Sequence, residues 1–223
     1  MNERYHVAQS EARQEVSPAY KVLRNTYMLL ALTLAFSAVT AGVAMSMGVA
    51  HLNIFVFFIG AYGLMFLVHK LKNSSAGLLA IFAFTGFMGF TLGPILTSYL
   101  TLSNGAQLIM TALGMTATTF IGLSAVVLIT KKDFSFLSNF LMAGAIVLVV
   151  AMLVAMIFNI SGLALAVSAG FVLFSSAMIL FETSQIIHGG ERNYILATLG
   201  LYLSIYNLFV SLLSILGVVS GDD

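Results

Sequence analysis

Cysteine is absent from the chain, which excludes a disulfide framework, thiolate metal centres and cysteine nucleophiles. Tryptophan is absent as well, and proline occurs only twice, so few points in the sequence force a helix to break. Charge is scarce. Only 8% of the 223 residues are Asp, Glu, Lys or Arg, while 60% are hydrophobic. A soluble domain carries about 25% charged residues because water must solvate its surface. This chain has too few such groups to stay in solution, and its composition predicts an integral membrane protein whose first partner is the lipid bilayer. The formal net charge of +1 points to no nucleic-acid partner; what matters is where the charges sit.

Breaks in hydrophobicity at charged or Gly/Asn/Ser-rich points divide the chain into seven apolar runs, at 26–48, 52–69, 76–99, 106–130, 137–159, 162–187 and 194–217. At ~1.5 Å per residue each is long enough to cross about 30 Å of hydrocarbon. The first run is too long for the core of a secretory signal and is predicted to be a retained anchor. The runs are apolar on nearly all faces, which excludes the alternating strands of a β-barrel. The fold class is therefore an all-α seven-transmembrane-helix bundle. It is preceded by a polar tail at 1–25 and followed by a short segment at 218–223. The connections are short, so consecutive helices are expected to form antiparallel hairpins.

Lysine and arginine are retained on the cytoplasmic side of a membrane. Arg4, Arg13, Lys21 and Arg24, then Lys70 and Lys72, then Lys131 and Lys132, then Arg192 all fall in the tail and alternate loops, and the intervening loops have none. This pattern predicts a cytoplasmic amino terminus and a carboxyl terminus, ending in Asp222 and Asp223, on the outer side. Tyr20, Tyr27, Tyr99 and Tyr194 stand near the predicted interfaces, where aromatic belts lie.

The polar residues inside the spans follow helical periods. Gly200, Ser204, Asn207, Ser211 and Ser214 recur every three or four residues on one face of the last span. Ser168, Ser175 and Glu182 recur every seven residues in the sixth, with Gln185 one turn further. Glu182 is the one carboxylate well inside a predicted span. An ionisable group at that depth is costly unless it is partnered, which makes Glu182 a candidate pH-sensitive group or cation ligand. The alternative is a structural carboxyl bonded across the bundle, or one reaching toward Lys70, Lys72 or Arg192 at the inner interface. Gly89 and Gly93 in the third span, and Gly114, Thr118 and Gly122 in the fourth, are small-residue steps that let helix backbones approach. Pro94 follows Gly93 and predicts a kink near the outer end of its helix.

Enzyme signatures are missing. There is no HExxH, no phosphate-binding glycine loop and no pair of membrane aspartates. Gly122-Leu123-Ser124-Ala125 is distantly like an intramembrane serine-protease motif, but no histidine lies mid-membrane to activate Ser124. His51, His69 and His188 lie at span ends without a second ligand at metal spacing. The prediction is a non-enzyme with no cofactor and no metal centre.

The stretch LFETSQIIHGGERNYILATLGLYLSIYNLFVSLLSILG from Leu180 to Gly217, with KKDFSFL at Lys131–Leu137 and LGPI at Leu92–Ile95, resembles the Bax inhibitor (TMBIM) family across all seven spans. KVLRNTY at Lys21–Tyr27, AFTGF at Ala83–Phe87 and FETS at Phe181–Ser184 are similar to members in the bacterial inner membrane that modulate the membrane-anchored AAA protease FtsH. The resemblance implies hairpin pairs around a central seventh helix. It also implies FtsH, and any membrane complex associated with it, as the partner. Such a chain is both a slowly degraded substrate and a restraint on the degradation of other membrane proteins. The protease would engage the polar tail, where Asn2, Arg4, Glu11 and Arg13 stand. Other members leak calcium in a pH-dependent way through paired aspartates in helices six and seven. Matched through FETSQ and LYLSIYNLF, this chain carries Glu182 and Ser204 at those positions, so one carboxylate of the pair is missing. An arginine that partners the pair in some members would fall near His69–Lys72, where none occurs. The principal expectation is an FtsH modulator. The alternative is a leak for calcium ions or protons centred on Glu182, with Ser204, Asn207 and Gln185 in the same polar pocket.

Overall fold

The computed structural model describes residues 18–220; the tail residues Asn2, Arg4, Glu11 and Arg13 lie outside the described residues. Seven long helices follow one another, α1 (Pro18–Ser46), α2 (Ile54–Leu71), α3 (Ala76–Leu100), α4 (Gly105–Thr130), α5 (Ser138–Phe158), α6 (Ser161–Ile187) and α7 (Tyr194–Ser220), with a 3-10 turn at Ser135–Leu137 before α5. There is no strand among the described residues. All seven helices are long and apolar enough to cross a membrane, and the protein is a multi-pass membrane protein. Large apolar side chains such as Phe55, Phe66, Phe140 and Leu173 are exposed on the outside of the bundle, as hydrocarbon surroundings permit.

The helix ends follow local chemistry. Asn53 caps α2 by accepting a bond from the Phe55 amide, at 2.9 Å. Asn193 caps α7 by accepting from the amides of Ile195 and Leu196, at 3.0 and 3.2 Å. Helix α1 begins about two turns before the apolar run does. Its first residue is Pro18, whose fixed φ suits the first helical position, and Val22 and Leu23 already pack on the core. Hydropathy alone misses this extension because the residues from Lys21 to Asn25 are mostly polar.

The order of packing differs from a simple row of hairpins. Helix α3, not α2, lies against α1, and α2 packs on α3 and α7. Likewise α5 packs on α6 and the 3-10 turn and does not touch α4. Short loops make consecutive helices antiparallel, but they do not make them neighbours. Glycines decide the α1–α3 contact: Gly89 faces the Ser37 carbonyl and the Thr40 hydroxyl, and Gly93 faces Ala41 and Ala44. Backbones meet there because no side chain intervenes. Gly114 and Gly122, by contrast, have open space where a Cβ would stand, and Thr118 bonds only to the Gly114 carbonyl, at 2.8 Å. The same small-residue spacing thus serves packing on α3 and faces away from the bundle on α4.

Helix α7 carries buried residues along most of its length, from Ile195 to Leu213, and packs against α1, α2, α3, α4 and α6. Hydrogen bonds tie the two ends of the bundle. At one end the Asn193 Nδ2 donates to the Lys72 carbonyl, at 2.9 Å, and Thr198 donates to the Thr26 carbonyl, at 3.3 Å. At the other, His51 meets Ser98 at 3.3 Å and Asn104 bonds Ser220. Lys21, Arg24, Lys70, Lys72, Lys131, Lys132 and Arg192 therefore all stand at the first of these ends.

A methyl group at Gly89 would overlap the α1 backbone, so Gly89→Ala is expected to cost about 1–3 kcal/mol through overpacking, whereas Gly114→Ala is expected to be neutral. Thermal unfolding of both variants in one detergent checks this; equal melting temperatures for the two would contradict the assigned α1–α3 contact.

Candidate functional site

Glu182 sits on α6 facing α7. Its hydrogen-bond partner among the described residues is Ser204, whose Oγ lies 3.1 Å from the Glu182 Oε2 and 3.1 Å from the Gly200 carbonyl. One turn earlier on α7, Gly200 leaves the space that the carboxyl fills, since a Cβ there would collide with the Glu182 Oε1. Two residues of α7 thus form the seat: a glycine that makes room and a serine that bonds. The serine has a single proton to give and two acceptors in reach. When Glu182 is a carboxylate, Ser204 donates to it; when Glu182 is protonated, it donates to the Ser204 Oγ, which then donates to the Gly200 carbonyl. The seat accommodates both protonation states without moving a backbone.

The Glu182 side of the seam opens into a cavity of about 330 Å³ lined by Gln185, Gly190, Glu191, Ala197 and Gly200 among others. Gln185 therefore shares this space with Glu182. Asn207 does not. It lines a separate cavity of about 540 Å³ nearer the opposite end, with Asn159, Ser161, Ser168, Ser211 and Ser214, where Ser168 donates to Ser214 at 3.3 Å. The two cavities share no lining residue. Along α7 the stretch from Leu201 to Tyr206 separates them, and along α6 the stretch from Val172 to Leu180. Leu201 and Ile179 are fully buried there. The polar seam read along α6 and α7 is thus one stripe in sequence and two chambers in space, divided by a packed septum.

The basic residues stay at the bundle end. Lys70 is exposed in the last turn of α2, the Lys72 carbonyl accepts from Asn193, and the exposed Arg192 donates from Nε to the Gly189 carbonyl, at 3.3 Å. Glu182 is oriented by neutral partners. At Pro94 the helix continues without interruption; proline has no amide for the Phe90 carbonyl, and Thr97 and Ser98 donate to the carbonyls of Gly93 and Pro94, both at 3.0 Å.

A second polar cluster escapes a reading by periodicity. Tyr202, fully buried on α7, donates to the Thr85 carbonyl of α3, at 3.3 Å, and lies 2.7 Å from the Ser37 hydroxyl of α1. With its only proton given to Thr85, Tyr202 accepts from Ser37. It joins three helices at the bundle's centre, and a tyrosine two residues from a polar stripe was the available signal. No group of three or more His, Cys, Asp or Glu able to hold a metal occurs among the described residues.

The geometry defines a class: a helical membrane protein whose sixth and seventh helices hold a carboxyl, Glu182, against a serine and a glycine at the edge of a cavity. A family model described as "Inhibitor of apoptosis-promoting Bax1" matches residues 19–221. The chain is 64% identical over 202 residues to an uncharacterised protein of Pseudomonas aeruginosa, covering 91% of each. It is 51% identical over 216 residues to the Escherichia coli protein named "Modulator of FtsH protease YccA", covering 97% of this chain and 98% of the relative. It is also 47% identical over 204 residues to a Vibrio cholerae membrane protein, covering 91% and 92%. This chain belongs to the Bax inhibitor family.

The seat predicts a coupling. Gly200→Ala should cost about 1–3 kcal/mol because it displaces the carboxyl, but should cost little when Glu182 is already alanine. A double-mutant cycle on thermal stability reads this interaction; additive effects would contradict the contact.

Proposed function

We propose that this protein is a non-catalytic regulator in the bacterial inner membrane that binds the membrane-anchored protease FtsH and modulates its activity on other membrane proteins. The observation that carries this is the 51% identity, over nearly all of both chains, to the protein named as a modulator of that protease. The Escherichia coli O6 relative, equally similar, is named an inner membrane protein. The basic residues gathered at one end of the bundle support a cytoplasmic placement of that end, by the rule that lysine and arginine are retained inside. The amino-terminal residues then also lie in the cytoplasm, and the carboxyl terminus in the periplasm. The polar residues 1–17, ahead of a helix rooted at Pro18, supply the stretch that a protease motor can engage.

A second reading rests on Glu182. Glu182 lines one cavity near the basic end, and Leu201 and Ile179 separate it from a second cavity nearer the other end, an arrangement that supports a leak for protons or calcium with those two residues as its closed gate. Ser204 stands where other members of the family carry the second carboxylate of the pair, which places this reading second.

Removing residues 2–17 leaves α1 intact and is expected to lengthen the protein's half-life in cells several-fold and to change the turnover of other FtsH substrates. Unchanged decay of both would contradict the first reading. In proteoliposomes, Glu182→Gln should abolish any acid-dependent calcium flux and Ser204→Asp should strengthen it. Flux equal to that of empty vesicles at acid and neutral pH would remove the second.

A further inference from the structure

Asn207 stands halfway along α7, where two cavities meet. One is the chamber of about 540 Å³ between α5, α6 and α7; the other, of about 520 Å³, lies between α2, α3, α5 and α7. They share Met152, Phe171, Asn207 and Val210 in their walls. The second is a trough. Along α2 its wall extends from Ile54 to Met65, about 16 Å at ~1.5 Å per residue, which matches one leaflet's half of a hydrocarbon core about 30 Å thick. Helices α2 and α5 form its two sides and do not touch each other, and Tyr62 on its rim is 56% exposed. The trough therefore opens sideways to lipid.

The two spaces differ in chemistry. The trough is walled by apolar side chains such as Phe57, Met65, Val149 and Leu203. Thr91 within it already donates to the Met88 carbonyl, at 2.8 Å, and His51 at its outer end meets the Ser98 hydroxyl, at 3.3 Å. The chamber instead presents Asn159, Ser161, Ser168, Asn207, Ser211 and Ser214. Among the described residues no protein group bonds the Asn207 amide or the Ser211 hydroxyl, although Ser211 is only 7% exposed. The amide has two protons to give and a carbonyl to accept, and unmet polar groups at this depth cost several kcal/mol. Water can meet the polar groups of the chamber, but an apolar trough does not hold it. An occupant of both spaces must be polar at one end and apolar along the other. Its charge is limited too. No Asp, Glu, Lys or Arg lines either cavity, so a phosphate or an ammonium drawn into the chamber meets no counter-charge.

We propose that the joined cavities bind a single-chain glycerolipid with an uncharged head, the class of a monoacylglycerol. Its acyl chain enters between α2 and α5 and lies in the trough, and its glycerol hydroxyls bond Asn207 and Ser211. A hydroxyl both donates and accepts, so one diol satisfies the amide and the serine together. The chain of a phospholipid fits the trough equally well, but its phosphate has no cation to meet, so the site selects by the head. Leu201 and Ile179 separate this site from Glu182, and the proposal stands apart from either reading of that carboxyl.

Photolabelling of the unmodified full chain in phosphatidylcholine vesicles tests this. A monoacylglycerol with a diazirine in the middle of its chain should attach to Phe57–Met65 of α2 or Val149–Met152 of α5. Excess unlabelled monoacylglycerol should suppress that labelling and leave labelling of the lipid-facing Phe140 and Leu173 unchanged, and the same excess of phosphatidylglycerol should suppress neither. Labelling spread evenly over exposed side chains without suppression would overturn the site, and equal suppression by phosphatidylglycerol would overturn its selection by the head. Both readings use the unmodified chain and hold even if a variant fails to fold. Asn207→Leu should raise the competitor needed for half suppression about fivefold, the factor for one hydrogen bond of ordinary strength. Unchanged competition in that folded variant would overturn the role of the amide.

Discussion

Inside hydrocarbon no water is present to bond a stray polar group, and an unpaired one costs several kcal/mol. The structure is arranged around that constraint. Many threonine and serine hydroxyls within the spans return to carbonyls of their own helix, as Thr33 does to Leu30, Thr116 to Ala112 and Ser176 to Val172, while those of Thr26, Ser124, Ser175 and Thr183 are buried without a protein partner. The groups that bond between helices are few, and they converge on α7: Tyr202 to α1 and α3, Thr198 to α1, Ser204 and Ser214 to α6. A helix that supplies these partners cannot lie at the rim. Its buried surface follows from its chemistry, and the peripheral α2 and α5, which bring almost no polar side chains to the bundle, bury little.

Glu182 is the most demanding of these groups, and its seat is economical. A missing side chain at Gly200 makes room, and one hydroxyl at Ser204 serves as donor or acceptor according to whether the carboxyl is charged. Leu201 and Ile179, both fully buried, stand between its cavity and the one nearer the far end. On the proposed function, the bundle would offer its partner the basic end, where Lys70, Lys131, Lys132 and Arg192 are exposed.

Much of this was legible in the residues. The seven apolar runs coincide with the seven helices to within a few positions at most ends, because hydrocarbon thickness sets their length. The start of α1 was not legible, since Lys21, Arg24 and Asn25 read as tail although Pro18 starts a helix through them. Helix adjacency was hidden too. Gly89 and Gly93 carry the same spacing as Gly114, Thr118 and Gly122, yet only the former meet a backbone, and periodicity cannot tell which small face finds a partner. The polar stripe of α7 was visible, but its division into two chambers depends on Leu201 and Ile179, apolar residues with no signature of their own. The Ser204–Glu182 pairing could be anticipated from the family's paired positions, whereas Gly200 as the room for the carboxyl emerges only when the helices are placed.

The family and the 51% identity to a protein named as a modulator of FtsH support the proposal that this protein acts by being bound. Affinity isolation of the full chain from native membranes in mild detergent, followed by identification of what accompanies it, tests that claim most directly. The account predicts FtsH as a specific companion, lost at the same detergent and salt when an unrelated seven-span protein carries the tag. Recovery of the chain alone, with FtsH left wholly in the unbound fraction, would contradict it.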